Sequence, residues 1–320
     1  MQSGIAIAGS ILVDALNEIS AYPKEGELTK IQRVSRAVGG CVPNVAIDIK
    51  RVARDTKVLA IGRVGADDNG AFVKAELAKN GVDTSLIKET DDKTSFTQVL
   101  SVRGGQRTFF TYAGASASFG FDDFSWENFP AKALHLGYFL LLDRVDAGDG
   151  LHILQEAQRR GIKTSIDLVS ENTNRYSLVL PCLQFVDNLI INEIEASGLT
   201  GLAPTKENLR KMAQKLKEYG VKERVIIHTS EISVCLSGDG YVVLPSFDLP
   251  KGFIKGTTGA GDAFCAGCLI AIERGEKDED ILALGSVCAT GALSQTDAVS
   301  GMQTEEQLKK LCENMERKKC

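Results

Sequence analysis

GTTGAGDAFCAGCLIAIERG, Gly256 to Gly275, changes character partway along its length. Its first part is too rich in Gly and Thr to continue a helix or strand, while Ala263 onward is a good helix-forming run. The segment reads as a loop feeding a helix N-terminus. Unpaired backbone N–H groups at such an end, with the positive end of the helix dipole, form an anion site, and Gly259 and Gly261 let the backbone approach the ligand closely. Phosphate suits that geometry. Asp262 at its mouth would repel the ligand unless its charge were used. In phosphoryl transfer a carboxylate can accept the proton of the attacking hydroxyl while N–H groups stabilise the equatorial oxygens, which makes Asp262 a candidate base. The plainer alternative is that Asp262 only caps the helix.

Other phosphate-loop readings lack their main residues. No GxxxxGK[ST] occurs, and GAGDAFCAG lacks the third glycine of GxGxxG. Cys265-Ala266-Gly267-Cys268 has CxxC spacing, but it lies inside the expected helix without a second pair or a His nearby in sequence, so packing is the expectation there.

Outward from this segment, short apolar runs alternate with helical patterns, as a mainly parallel sheet covered by helices requires. Candidate strands are Ile5-Ala8, Val58-Ile61, Ala133-Leu136, Thr164-Asp167, Leu189-Asn192 and Val225-Thr229, most of them too continuously apolar for a one-sided sheet. Leu209, Met212, Ala213, Leu216 and Tyr219 recur at helical spacing, as do Val45, Ile49 and Val52 after Pro43. Two regions break the alternation, about 11–37 and 94–113. In the second, TSFTQVLSVRGGQRTFFTY reads as a hairpin turning at Gly104-Gly105, and the two regions together predict a small accessory sheet. No linker or repeat divides the chain, so residues 1–320 read as one α/β domain carrying that small lid.

Composition narrows the function. The chain has 320 residues, 43% hydrophobic and 25% charged, with a net charge of −5 and no long cationic run before Arg317-Lys318-Lys319, which argues against nucleic-acid or membrane-surface partners. The N-terminus MQSGIAIAGSILVDALNE lacks a signal peptide's basic start and cleavage site, and no apolar stretch approaches the roughly 18 residues of a membrane span, so the expectation is a cytoplasmic protein. Its eight dispersed cysteines are expected to be reduced and packed as small apolar residues.

Thr257, Thr258, Gly259, Ala260, Gly261 and Asp262 resemble the C-terminal signature [DN]-T-x-G-A-G-D of the ribokinase-like (PfkB-type) carbohydrate kinase family. AVGGCVPNVA, Ala37 to Ala46, is similar to that family's GGxxxN motif. Gly9-Ser10 followed by Asp14 resembles its first strand and sugar-binding aspartate, IGRVGADDNG its GxVGxDxxG element, and INEIEA contains its NxxE at Asn192 and Glu195.

The resemblance implies a three-layer α/β/α ribokinase-like sandwich, with a mainly parallel central sheet and a β-sheet lid over the sugar. It implies an ATP-dependent sugar kinase that moves the γ-phosphoryl group to a hydroxyl of a free monosaccharide. Asp262 would be the base, and the backbone of Gly259, Ala260, Gly261 and Asp262 the anion hole. Asn192 and Glu195 would place Mg²⁺ and the transferred phosphate, largely through water. Asp14, Gly39, Gly40 and Asn44 would hold the sugar; Thr257 and Thr229 fall to the nucleotide. Homodimers paired through the lid are common in that family. Two alternatives remain open from the sequence: a nucleoside kinase of the same family, and a non-catalytic sugar-binding regulator, against which the intact Asp262, Asn192 and Glu195 argue. GGCVPNVA resembles the GGxPxNVA form of fructokinase and ketodeoxygluconate kinase relatives, which favours a sugar.

Two positions depart from the pattern. Gly256 stands where the family has Asp or Asn, which bears on the monovalent-cation site of some relatives. Ser230-Glu231-Ile232-Ser233 replaces the usual Gly-containing turn, which bears on the nucleotide-base contacts.

Overall fold

The computed structural model describes residues 3–102, 107–170 and 174–319. The turn expected at Gly104-Gly105 and the last cysteine, Cys320, lie outside the described residues. Thirteen strands are described: β1 Ile5–Ala8, β2 Leu12–Ile19, β3 Ile31–Gly39, β4 Val58–Gly65, β5 Asp83–Thr90, β6 Ser95–Val102, β7 Arg107–Tyr112, β8 Ala133–Phe139, β9 Lys163–Leu168, β10 Asn188–Asn192, β11 Arg224–His228, β12 Ile232–Ser237 and β13 Gly240–Pro245. The helices are α1 Cys41–Val52, α2 Asp68–Lys79, the short α3 Gly114–Ala117, α4 Gly150–Arg159, α5 Glu193–Thr200, α6 Leu209–Glu218, α7 Ala260–Arg274, α8 Asp278–Leu293 and α9 Glu305–Cys312. Among the described residues, no helix is long and apolar enough to cross a membrane.

The larger sheet runs β13-β12-β11-β10-β9-β8-β1-β4-β5. Its pairs are parallel from β5 through β11, and β12 and β13 add an antiparallel hairpin at one edge. The central strands bury both faces. Ile5 and Ile7 of β1 pack against α1, α7 and α8, while Ala6 and Ala8 face the opposite layer of α4, α5 and α6. Ile190 and Ile226 repeat the split against Leu189, Ile191, Val225 and Ile227. This two-sided burial is why these strands read as continuous apolar runs, and it gives three layers, helices over sheet over helices. Leu209, Met212, Ala213 and Leu216 form the buried stripe of α6. Helix α1 begins at Cys41, two residues ahead of Pro43. Proline is tolerated there because the first-turn N–H groups have no helical acceptor in any case.

The smaller sheet, β3-β2-β6-β7, occupies the two regions that break the alternation. It pairs β2 with β3 and β6 with β7 antiparallel, and β2 with β6 parallel. One carboxylate ties it to the larger body. Asp67 caps α2 through Gly70 N–H at 2.9 Å and accepts both the N–H and the hydroxyl of Thr94, at 2.9 and 2.6 Å, just before β6.

Candidate active site

In a parallel sheet the strand dipoles and the following turns leave a crevice beyond the C-terminal ends of the strands. Here that crevice is a cavity of about 410 Å³. Tyr138 near the end of β8, Asp167 of β9, Asn192 of β10 and His228 of β11 line it from below. Leu12, Asp14, Thr97, Phe109 and Thr111 of the smaller sheet line it from above, and Gly259, Gly261 and Asp262 close it at the start of α7.

Asp262 sits in the first turn of α7, but its carboxylate is not spent on capping. Its Oδ2 accepts Asn44 Nδ2–H at 2.8 Å and the Tyr138 hydroxyl at 2.9 Å. Burial pushes its carboxyl up to about 7, helped by the charge of Asp167 and opposed by those two hydrogen bonds. The loop ahead of it is shaped by one left-handed residue, Gly259 at φ 77°, where a Cβ would lie 2.5 Å from Ala298 Cα. Ala263 N–H makes the first helical bond to Gly259, and Ala260 N–H turns back to the Thr257 carbonyl. Gly261 and Asp262 N–H find no backbone acceptor among the described residues, and a Cβ at Gly261 would meet only the His228 ring, at 3.7 Å. The missing side chain leaves room for an anion on that pair of amides.

Across the cavity, Gly39 and Gly40 bring β3 into α1. A Cβ at Gly39 would stand 2.8 Å from Asp14 Oδ2, and Gly40 has φ 88° with its missing Cβ 2.6 Å from the Ser10 carbonyl. Together they hold Asp14 close to the N-terminus of α1. Gly39 itself lies behind the lining, whereas Asp14, Gly40 and Asn44 are part of it. Asn44 gives its amide to Asp262, and its Oδ1 is buried without a partner among the described residues. An unpaired buried acceptor of this kind is costly unless a ligand donates to it.

Asn192 and Glu195 form a capping box at the start of α5: Asn192 Oδ1 accepts from Ile194 and Glu195 N–H at 2.9 Å each, and Glu195 accepts Asn192 N–H at 3.0 Å. Ser170 hydroxyl and Asn192 Nδ2 also donate to Glu195, each at 2.8 Å. Burial pushes the Glu195 carboxyl up to about 8 despite those donors. Both residues line the cavity, so the same pair caps the helix and faces the open space.

Two expected contacts lie off the lining. Thr229 is committed to the β11–β12 turn, accepting from Glu231 and Ile232 N–H at 2.9 and 3.0 Å, and Thr257 is exposed at the outer side of the loop. Ala260, with its N–H turned inward, is likewise off the lining. Among the lining residues that escaped the sequence reading are Tyr138, Asp167 and His228. Tyr138 has φ 61°, rare for a bulky side chain, and its N–H donates to Asp167 Oδ1 at 2.5 Å. His228 is held down at about 4 by burial and packs on Phe264, ring centroids 4.8 Å apart. Their common signal is position at or near the C-terminal end of a parallel strand.

The family pattern of the pfkB carbohydrate kinases matches residues 5–305, and the chain belongs to that family. It is 24% identical over 311 residues to a ribokinase of Arabidopsis thaliana, an alignment covering 96% of this chain and 80% of the relative. It is 26% identical over 297 residues to an adenosine kinase of Saccharomyces cerevisiae, covering 89% and 86%. Among solved structures, that of Arabidopsis thaliana ribokinase complexed with ribose and ATP superposes with a TM-score of 0.82 at 23% identity, covering 97% of this chain and 99% of that one. The molecule is a kinase of the ribokinase fold.

Proposed function

We propose that this enzyme transfers the γ-phosphoryl group of ATP to a hydroxyl of a free monosaccharide, with Asp262 as the base. The observation that carries this reading is the position of Asp262. Its carboxyl stands at the start of α7 beside the amides of Gly261 and Asp262 and is bonded to Asn44, in the cavity that Asp14 also lines. Both hydrogen bonds it accepts fall on Oδ2, which makes Oδ1 the oxygen that receives the hydroxyl proton. A carboxyl poised at about 7 is well matched to proton transfer near neutral pH. Amides at the helix start then stabilise the charge on the equatorial oxygens of the phosphoryl group.

Asp14 and the unpaired Oδ1 of Asn44 accept hydrogen bonds from sugar hydroxyls, and the small sheet acts as the lid above them. Asn192 and Glu195 fit Mg²⁺, because they offer oxygen donors to a hard cation that keeps much of its water. A buried carboxyl at about 8 also ionises fully at neutral pH only beside a positive charge. When bound, Mg²⁺ would neutralise the donor phosphates. The outer face of the lid carries exposed Val34 and Phe110, and a second copy of the chain is the partner we assign to it.

A nucleoside acceptor is the second reading, favoured by the similarity to yeast adenosine kinase. An ATP-consumption screen over pentoses, hexoses, sugar acids and nucleosides separates the two. The sugar reading expects turnover on at least one free monosaccharide well above any nucleoside, and turnover confined to nucleosides rejects it.

A further inference from the structure

Three buried side chains take no part in the transfer chemistry, namely His135 of β8, Asp167 of β9 and Cys265 of α7. One donor atom from each lies within 4.8 Å of the other two. His135 Nε2 stands 3.4 Å from Asp167 Oδ2 and 3.6 Å from Cys265 Sγ. The first contact is long for a charge-assisted hydrogen bond. These two spacings match two edges of a tetrahedron about a zinc-sized ion, and the third pair, Asp167 and Cys265, lies within 4.8 Å. With ordinary zinc bond lengths to nitrogen, oxygen and sulfur, two ligands at the tetrahedral angle stand about 3.4 Å (N and O) and about 3.6 Å (N and S) apart.

The surroundings fit a metal as well as the distances do. His135 Nδ1 lies 3.0 Å from Ser165 Oγ, the second contact that aims a ligating imidazole. Asp167 Oδ1 is taken by Tyr138 N–H, which turns Oδ2 toward the cluster. Asp167 and Cys265 both line the central cavity, so the fourth vertex opens onto it. Cys268, the partner that CxxC spacing would suggest, is turned away, with its Sγ 3.7 Å from the Ile281 carbonyl. The histidine missing from the neighbouring sequence arrives from 130 positions away.

We propose that His135, Asp167 and Cys265 form a site for a thiophilic divalent cation of the zinc class, separate from the oxygen donors of Asn192 and Glu195. Binding forms a metal–thiolate bond and releases the Cys265 proton to solvent, while His135 binds as neutral imidazole. An ion here, with its water at the open vertex, occupies the cavity floor and slows phosphoryl transfer. That last effect rests on the kinase reading, whereas binding does not.

The test is a Co²⁺ titration of the purified full chain in excess Mg²⁺, which blocks oxygen-only sites. The expected result is one Co²⁺ per chain, a thiolate-to-cobalt charge-transfer band in the near ultraviolet, intense visible bands of tetrahedral Co²⁺, and bleaching of both by Zn²⁺. Cys265→Ser should abolish the near-ultraviolet band, and Asp167→Asn should weaken Co²⁺ binding at least tenfold. Both replacements are close in shape, and circular dichroism of each checks that it is folded. Absence of the band in the wild type, or its persistence in folded Cys265→Ser, overturns the site. Zn²⁺ should slow the wild-type kinase relative to its own rate in Mg²⁺ without zinc. A bound ion without slowing overturns the inhibitory role alone.

Discussion

Asn44 and Asp262, 218 positions apart in the chain, meet at 2.8 Å. That one bond joins the start of α1 to the start of α7 across the central cavity. The Tyr138 hydroxyl converges on the same carboxylate oxygen.

Replacing Asp262 by Asn keeps the side chain's shape but removes the proton acceptor. Turnover should fall by about 10²–10⁴ while nucleotide affinity holds. In the wild type the base must be ionised, so with its carboxyl at about 7 the value of kcat/KM should fall as pH drops below that point. Near-normal turnover in Asp262→Asn, or a flat profile from pH 8 to 5.5, would remove Asp262 from this role.

Asp14→Ala should weaken sugar binding by roughly 1.5–3 kcal/mol, the scale of hydrogen bonds to a charged group. Calorimetry on the folded variant decides the matter, and unchanged affinity would mean that Asp14 does not hold the sugar.

For Glu195→Gln, the expected change is a higher Mg²⁺ concentration at half-maximal rate, because the neutral amide no longer favours a cation near the donor phosphates. An unshifted Mg²⁺ dependence would contradict that assignment.

Gly256 supplies no side-chain oxygen to a monovalent cation beside the anion hole, and its missing Cβ is already 3.0 Å from the Gln295 carbonyl. Activity should therefore depend little on K⁺. Exchanging K⁺ for a bulky organic cation at constant ionic strength and saturating Mg²⁺-ATP measures this, and a tenfold drop would sink the idea.

Asp48, one turn beyond Asn44, is fully buried with both oxygens unpartnered among the described residues. Burial, reinforced by the charge of Asp262, holds its carboxyl well above the usual range. At pH below about 4 both folded and unfolded chains keep this proton. As pH rises, the unfolded chain releases it first, so stability is lost until pH passes the folded value. Asp48→Asn should consequently melt roughly 2 °C or more higher than wild type at pH 8, with the gap closing toward pH 4. A gap independent of pH would show that the native carboxyl is not held protonated.

The sequence read well where burial was two-sided. All six strands expected from continuous apolar runs are present, because β1, β4, β8, β9, β10 and β11 lie inside the large sheet. The outer strands were harder. In β5 most side chains are exposed or half-exposed and no long apolar run marks it, whereas β13 carries Tyr241-Val242-Val243-Leu244 but is too short and too exposed to stand out as a strand with two buried faces. The loop ahead of α7 was legible because its glycines and threonines make poor helix or strand, and the Asn192–Glu195 pair because its motif spans only four residues. Tyr138, Asp167, His135 and His228 were not, since each is one polar or aromatic residue in or beside an apolar strand. What brings them near one another is strand order, which no local pattern records.

The seven described cysteines are buried, and burial raises every one of their thiols above the ordinary range. Only Cys265 among them lines the central cavity. An alkylating reagent can therefore reach the others only when the surrounding structure opens, so its rate of attack measures the free energy of that opening and not the reactivity of the sulfur. Cys182 lies in one helical layer and Cys268 and Cys288 in the other. The molecule thus carries its own clocks, one on each side of the sheet, for timing which layer loosens first.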